Sequence, residues 1–400
     1  MKSPRERRKA VLIVAQSARA LAAAARRSRQ PAIAIDAFRD LDTVELVEEC
    51  IRVPFGPYGF DERILFAAIE ECRTRVSGLV YGTGFEHSPA LLARLEALVP
   101  LIGNTPQSVA LVKDPISFAN LLKEIGVPHP ETTRQPRIGR NWLRKRVGGA
   151  GGGHIRETAS ESAFFDPSLY YQRRMPGSPV SALFIADGRR ARILGFSEQW
   201  SDGGDDMPFR YGGSAGPIKL PGPIEASVRR ICTALSAAAC LRGLNSLDLL
   251  IEEGRVVVLE VNPRPGATLD IFDGNGGLAL WRLHCRAIEG RIAAPSQRKA
   301  AEVKSVRAAS IVYAPRRLRI PDAFEWPRWT SDRGRDGAIV NRNDPVCTVR
   351  ASAATASAAR GIVADRARKL SAALDRSRLH TQGNVRSLEK RSPWPNRTTP

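Results

Sequence analysis

Three short runs in the first eighty or so residues are apolar almost throughout: AVLIVA at 10–15, AIAIDAF at 32–38 and SGLVYG at 77–82. A strand wetted on one face alternates polar and apolar residues. These runs do not alternate, so each must be buried on both faces, as in a parallel sheet covered by helices. Helical patterns lie between them: ARALAAAARRS follows the first run and DERILFAAIEEC precedes the third. Leu91 to Leu98 is helical again, and PLIGN at 100–104 reads as one more short strand. Alternating strands and helices with short links give a doubly wound parallel sheet, a Rossmann-like unit. The turn after the first strand reads AQSARA and lacks G-x-G-x-x-G, so there is no dinucleotide fingerprint.

The texture changes at 107. Phe118, Leu121, Leu122 and Ile125 have helical spacing, stopped by Gly126 and Pro128. A strand NWLRKRV (141–147) runs into GGAGGG (148–153), and SLYYQRRM (168–175) reads as a strand ending at Pro176-Gly177. VSALFIADG (180–188) and ARILGFSEQ (191–199) read as antiparallel strands, and 222–243 as a helix closed by Gly243. SLDLLIEEG (246–254) and RVVVLEVNPRPG (255–266) form a hairpin turning at Glu253-Gly254, followed by a helix over 277–288. Pro295 to Ala300 reads as a linker. A β-rich segment (ASIVYA, GAIV, PVCTV) then extends to about 352, with a helix over roughly 355–375. From Ser377 the chain is polar, basic and proline-bearing, and a disordered tail is expected. The expected α/β and α+β organisation is therefore 1–106, a two-lobed 107–295 (lobes 107–168 and 169–295), 300–376, and a tail over 377–400.

Charge sets a second constraint. Lys plus Arg number 61 against 41 Asp plus Glu, a net charge of +20, which points to a polyanionic ligand. Only ten of the cations are Lys, and an Arg excess beside abundant Ala looks like GC-rich coding. Arg316, Arg317 and Arg319 have no interleaved aromatic platform, so nucleic acid is disfavoured as a partner. No window reaches the roughly 20 apolar residues of a membrane span. The basic start leads into only six apolar residues, short for a signal peptide. The six cysteines form no C-x-x-C; buried reduced thiols in the cytoplasm are expected.

The chemistry concentrates in the hairpin. Asp248 and Glu260 can face one way on adjacent strands, with Asn262 and Arg264 in line with Glu260. Two carboxylates and an amide oxygen are hard ligands suited to Mg²⁺, and Arg264 adds a fixed cation for an anion. Lys145 lies before the glycine run, whose backbone N–H groups can cradle a polyphosphate.

Lys113 with DPISFANLLKEIGVPHPET, Lys145 with its glycine loop, YYQRRMPG, and Asp248 with LEVNPRPG together resemble the ATP-grasp superfamily in order and spacing. The likeness is greatest to a group known as predicted ATP-dependent carboligases, related to biotin carboxylase and the purine-pathway carboxylase. This resemblance implies a Rossmann-like pre-ATP-grasp domain, a two-lobed ATP-grasp domain and a carboxylase-like closing subdomain. It implies that Lys113 and Lys145 contact ATP phosphates and that Gly148, Gly149, Gly151, Gly152 and Gly153 close over them. Gln172, Arg173 and Met175 would sit beside adenine. Asp248, Glu260 and Asn262 would hold Mg²⁺ (Mn²⁺ as an alternative), while Arg264 and Lys145 act on the transferred phosphoryl group. The hinge carries Gln172-Arg173-Arg174 where many members have Glu, and Ser246 stands where peptide-forming ligases have Arg.

The implied activity is ATP-dependent formation of an acyl-phosphate from a carboxylate, then attack by an amine, in biosynthesis of a one-carbon carrier cofactor. A carboxylase, a kinase-like enzyme and a degenerate ATP-binding subunit are the alternatives, and a homodimer is left open. His154 reads as an exposed loop residue, Glu86-His87 as a candidate for the acceptor site, and 201–216 as a mobile loop carrying Arg210 and Tyr211.

Overall fold

The computed structural model describes residues 9–158, 165–202, 204, 206–292 and 305–389. The first unit comprises β1 (Ala10–Ala15), α1 (Arg19–Arg27), β2 (Ala32–Asp36), β3 (Glu49–Arg52), α2 (Glu62–Cys72), β4 (Val76–Tyr81) and α3 (Pro89–Glu96). Its four strands are all parallel, in the order β3-β2-β1-β4. Every residue of β1 and β2 is buried, as their lack of alternation requires. Leu12 and Val14 pack towards α2 and α3, while Val11 and Ile13 pack towards α1 and the rest of the molecule. PLIGN adds only one bridge, Leu79 to Leu101, before the chain turns away.

Asp36 explains why this sheet lacks a dinucleotide turn. Its carboxylate accepts from the N–H of Ala18 (2.6 Å) at the start of α1 and from that of Phe38 (2.7 Å). The chain's own carboxylate thus fills the helix N-terminus where such folds hold a pyrophosphate.

α4 (Pro106–Lys113) and α5 (Pro115–Glu124) follow, each with proline in its first turn. Thr105 caps the first through Ser108 N (3.2 Å), and Asp114 caps the second through Ser117 N (2.8 Å). One residue thereby ends one helix and starts the next, which fixes Lys113 at a corner. The first lobe is a sheet of β5 (Thr132–Thr133), β6 (Gly139–Arg146), β7 (Arg156–Thr158) and β8 (Leu169–Arg173), in the order β5-β8-β6-β7.

Apart from two minimal ribbons (Phe55–Gly56 with Gly59–Phe60, and Leu318–Arg319 with Ile339–Val340), the further strands are β9 (Ser178–Asp187), β10 (Ala191–Ser201), β11 (Tyr211–Ile218), β12 (Arg242–Glu252), β13 (Arg255–Asn262), β14 (Val306–Tyr313), β15 (Thr330–Ser331) and β16 (Pro345–Ala353). They form one eight-stranded sheet, β13-β12-β9-β10-β11-β14-β16-β15. The expected second lobe and C-terminal segment therefore share a continuous sheet, joined where Gly213 of β11 pairs with Ser310 of β14. Alternation along β9 decides its two faces. Val180, Ala182 and Phe184 pack with Val228, Ile231 and Leu235 of α6 (Gly222–Ala238), whereas Leu183 and Ile185 join a cluster with α1 and Trp281 of α7 (Leu280–Ile288). α8 (Ala356–Glu389) packs on β14 and β16 through Ala359, Val363 and Leu370.

Several boundaries differ from the sequence reading. α6 ends at Ala238 rather than at Gly243, because the chain reverses at Cys240 (φ 51°) and Gly243 already lies in β12. That reversal leaves Cys240 exposed, while Cys50, Cys72, Cys232 and Cys347 are buried free thiols. The 201–216 segment is a loop only to Arg210: YGGSAGPI is β11, held between β10 and β14. The backbone of 377–389 continues α8 where a disordered tail is expected. The linker over 295–300 and the last eleven residues lie outside the described residues. Among the described residues no helix is long and apolar enough to cross a membrane.

Candidate active site

The β12–β13 hairpin turns at Glu253 (φ 47°) and Gly254 (φ 80°), the two left-handed positions of a tight two-residue loop. That turn sets the register as far as Leu249 with Val258; a bulge that leaves Leu259 unpaired then shifts it by one residue and pairs Asp248 with Glu260 and Ser246 with Asn262. The two carboxylates therefore face one side from neighbouring strands. Asn262 Nδ2 donates to Asp248 Oδ2 (3.0 Å), and Gln199 Nε2 of β10 donates to Asp248 Oδ1 (3.1 Å). Gln199 reaches across the whole of β9, because the residue between, in register with Asp248, is the small Ser181.

Lys113, at its helix corner, closes this group. Its ammonium donates to Asn262 Oδ1 (2.9 Å) and Glu260 Oε2 (3.3 Å), and the residue is only 8% exposed. Desolvation opposes ionisation of Glu260, but Lys113 and then Lys145 outweigh it and hold the carboxyl below the usual carboxylate range. Asp248 is raised above that range, first by burial and then by Glu260. A single lysine does not satisfy the pair.

The donor set fits a magnesium ion. Among the described residues no three His, Cys, Asp or Glu side chains converge, so a thiolate or imidazole site is not on offer. Two carboxylates and the amide oxygen that faces the Lys113 ammonium are what a hard cation takes when phosphate oxygens complete its shell. Lys113 supplies positive charge to two of those three groups in this structure.

Beside the cluster lies a narrow crevice. Val112, Phe118 and Leu122 of α4–α5 and Val258 of β13 make an apolar wall, and Lys113, Glu260, Gly148 and Gly149 form the polar end. Tyr170 and Gln172 of β8 line it as well. Lys145 of β6 lies opposite Tyr170 and donates to Gln172 Oε1 (2.6 Å); burial lowers its pKa. Gln172 is buried, but Arg173 is exposed and paired with Glu131 (3.8 Å), and neither Arg173 nor Met175 lines the crevice. The strand's alternation explains the first: Gln172 and Arg173 must point to opposite faces.

The glycine loop is seated between two walls. At Gly148 (φ 64°) an added Cβ would meet His87 Cα and lie 2.6 Å from Glu86 O; at Gly152 it would collide with Phe209 O. Tyr211 N donates to Gly151 O (2.8 Å). His154 is not an exposed loop residue: its ring covers Gly149, and burial lowers its pKa to about 4. Arg264 Nε donates to Glu86 Oε1 (2.6 Å), both side chains being nearly buried. Arg210, expected in a mobile loop, is 8% exposed, bound to Asp202 and Asn343 and stacked 3.9 Å over Tyr313. It belongs to the framework of the 201–210 loop.

Sequence reading missed Gln199, Phe118 and Tyr170 as parts of the site. Gln199 had no signal, since strands far apart in the chain become neighbours only in the sheet. Phe118 had one, a helical apolar face adjoining Lys113, which the core also accounts for.

A crevice between two β lobes, with Lys145 on one side and Lys113 with the carboxylate–amide cluster on the other, defines a nucleotide-grasping class of α/β protein. Residues 112–268 match the family model described as ATP-grasp domain, and the chain carries an ATP-grasp domain. Over 247 residues it is 26% identical to the carbamoyl phosphate synthase large chain of Rubrobacter xylanophilus, covering 54% of this chain and 23% of that protein. The match to the C-terminal section of the Methanocaldococcus jannaschii large chain is 24% over 263 residues, 59% of this chain and 42% of that one. The chain thus spans less than half the length of these relatives.

Among solved structures, the biotin carboxylase domain of Hydrogenobacter thermophilus 2-oxoglutarate carboxylase superposes with a TM-score of 0.67 at 13% identity, covering 87% of each chain. N5-carboxyaminoimidazole ribonucleotide synthetase of Thermotoga maritima gives 0.64 at 14%, covering 90% of this chain and 98% of that one. The shared fold extends well beyond the matched domain.

Proposed function

We propose that the chain is an ATP- and Mg²⁺-dependent ligase that activates a carboxylate as an acyl-phosphate and joins it to an amine. The observation that carries this reading is the convergence of Lys113, Asp248, Glu260 and Asn262 at the polar end of the crevice. Val112, Phe118, Leu122 and Val258 suit an adenine ring, and Gln172 offers it a polar edge. Gly148 to Gly153 would cover the phosphates, with Lys145 and Lys113 as their point charges. Asp248, Glu260 and Asn262 would hold Mg²⁺, which supplies charge neutralisation between the phosphates when bound. Arg264 would face the transferred phosphoryl, and the seated glycine loop would keep water from the acyl-phosphate.

A carboxylase acting on bicarbonate is the second reading. It is favoured by the likeness over 87% of both chains to a biotin carboxylase domain whose structure holds MgADP and bicarbonate. The finer assignment, biosynthesis of a one-carbon carrier cofactor, rests on the sequence resemblance alone. ADP release from ATP, screened over carboxylates with and without amines and over bicarbonate alone, separates these readings. A ligase releases ADP only with its carboxylate present, and turnover unaffected by Glu260→Gln and Lys145→Ala would remove the site assignment.

A further inference from the structure

Glu86 is fully engaged. It lies just beyond β4, at the carboxyl end of the first unit's sheet, and is 4% exposed. Its Oε2 accepts from the N–H groups of Gly84 (2.7 Å) and Phe85 (3.0 Å), and its Oε1 accepts from Arg264 Nε (2.6 Å). Burial would raise its pKa, but Arg264 and then Lys113 outweigh that and lower it. A carboxylate held by three donors is not poised to take a proton from an acceptor amine. It can, however, fix a guanidinium.

Arg264 has its own anchor on the opposite side. Pro263 O, the carbonyl just before it, accepts from Asn104 Nδ2 (2.8 Å) and Tyr81 OH (3.3 Å). Asn104 also binds Asn245 Oδ1 (2.8 Å) and accepts from Arg242 N (2.7 Å). Backbone and side chain of the 263–264 segment are therefore both held by first-unit residues. Arg264 uses Nε for Glu86, and its two Nη groups donate to no protein acceptor among the described residues. A guanidinium clamped by one edge presents the other edge as a two-pronged donor for an oxyanion.

The same loop carries a second contact. The backbone at Glu86 and His87 is what Gly148 packs against in the seated glycine loop. One short segment, 84–87, thus touches the phosphate-covering loop with its main chain and the anion-binding arginine with its side chain.

We infer that Glu86 is a positioning residue: it aims Arg264 at the oxyanion of the transferred phosphoryl group, and the first unit thereby completes a site otherwise built by the ATP-grasp domain. This rests on reading the crevice as a nucleotide site. Glu86→Gln keeps the shape and removes the charge. Isothermal titration with MgADP, then with inorganic phosphate at saturating MgADP, reads the two parts separately. MgADP affinity is expected to stay within about twofold of wild type, while phosphate affinity falls by about tenfold or more. Arg264→Ala should lose as much, and the double variant no more than either alone.

The Arg264 ¹⁵Nε resonance, assigned by its loss in Arg264→Lys, gives a readout free of ligand. It should be protected from exchange in wild type and exchange-broadened in Glu86→Gln. Unchanged phosphate affinity in Glu86→Gln, losses that multiply in the double variant, or no phosphate binding by MgADP-loaded wild type would each overturn the inference. Failure of wild type to bind MgADP at all removes the functional reading, and this inference with it. If Glu86→Gln does not fold, Arg264→Lys, which keeps the charge and lacks the fork, must show the same split.

Discussion

The ammonium of Lys113 lies 2.9 Å from Asn262 Oδ1, at the oxygen that a metal ion between Asp248 and Glu260 would also use. One lysine therefore supplies part of the positive charge that the two carboxylates need, through Glu260 and Asn262. Lys113→Ala leaves Asp248 and Glu260 to repel each other. Partial exposure of Glu260 softens the effect, and a loss of about 2 kcal/mol in unfolding free energy is expected. Millimolar Mg²⁺ should restore part of that loss in the variant and do less for wild type. Chemical denaturation of both proteins with and without Mg²⁺ checks this; equal Mg²⁺ effects would separate the lysine from the metal position.

Gly148 makes the second prediction. Its left-handed φ and the backbone of His87 both exclude a side chain. Gly148→Ala should unseat the loop without disturbing either sheet. Loop cleavage by a nonspecific protease should rise, and MgADP should protect it less than it protects wild type. Gly151→Ala is the control, because nothing lies within 4 Å of its missing Cβ, although its φ of 69° costs about 1 kcal/mol locally. Identical cleavage of Gly148→Ala and wild type would mean that the loop is not held there.

How much of this was legible in the sequence follows from the range of each interaction. The unalternating runs at 10–15 and 32–36 require a parallel sheet, and the Glu253-Gly254 turn fixes the hairpin, within which a one-residue bulge at Leu259 brings Glu260 opposite Asp248. Those are local facts. The pairing of Arg264 with Glu86 spans 178 residues, and Gln199 meets Asp248 across an intervening strand, so no local pattern could show them. Gln172 and Arg173 are neighbours on one strand, so only the first turns its side chain to the crevice, and Met175 lies beyond the strand's end. The segment at 211–218 looked like a loop because its glycines signal turns. In the sheet they are demanded by close approach: a Cβ on Gly213 would lie 2.5 Å from Ala309 O and from the Trp200 ring.

Arg19 spans three parts of the chain. Nη1 and Nη2 hold Asp270, the latter at 2.6 Å from Oδ2, and Nε and Nη2 hold Asp332 at 2.9 and 3.0 Å. The arginine is 5% exposed, and the pairs tie α1 to the segment after β13 and to the end of β15. Arg19→Met fills the space and leaves two carboxylates uncompensated. Such losses run to about 3–5 kcal/mol when buried. Thermal unfolding should shift down by several degrees, whereas Asp270→Asn, which keeps a hydrogen-bonding partner for Arg19, should cost less. A larger loss from Asp270→Asn would place the important charge elsewhere.

His284 gives the protein a dependence on acid. Its Nδ1 accepts from Leu244 N (3.0 Å) and its Nε2 faces Ile102 O (2.8 Å), so the neutral ring, protonated on Nε2, joins β12 to the first unit. The side chain is 2% exposed, and burial lowers its pKa from 6.5 to about 4. Between those values the unfolded chain takes up a proton that the folded one refuses. The contribution of His284 is therefore fully present above pH 6.5 and is lost as pH falls from 6.5 to 4, by up to about 3 kcal/mol. Asp36, raised to about 6, and Asp40, raised to about 7, both chiefly by burial, act in the opposite direction: their contribution is present at low pH and is lost as pH rises through those values. Wild type alone would blur the two effects. His284→Asn removes one of them, and the difference in unfolding free energy between wild type and variant should shrink as pH drops from 6.5 to 4. A difference that stays constant over this range would show that the ring is free to take its proton in the folded protein.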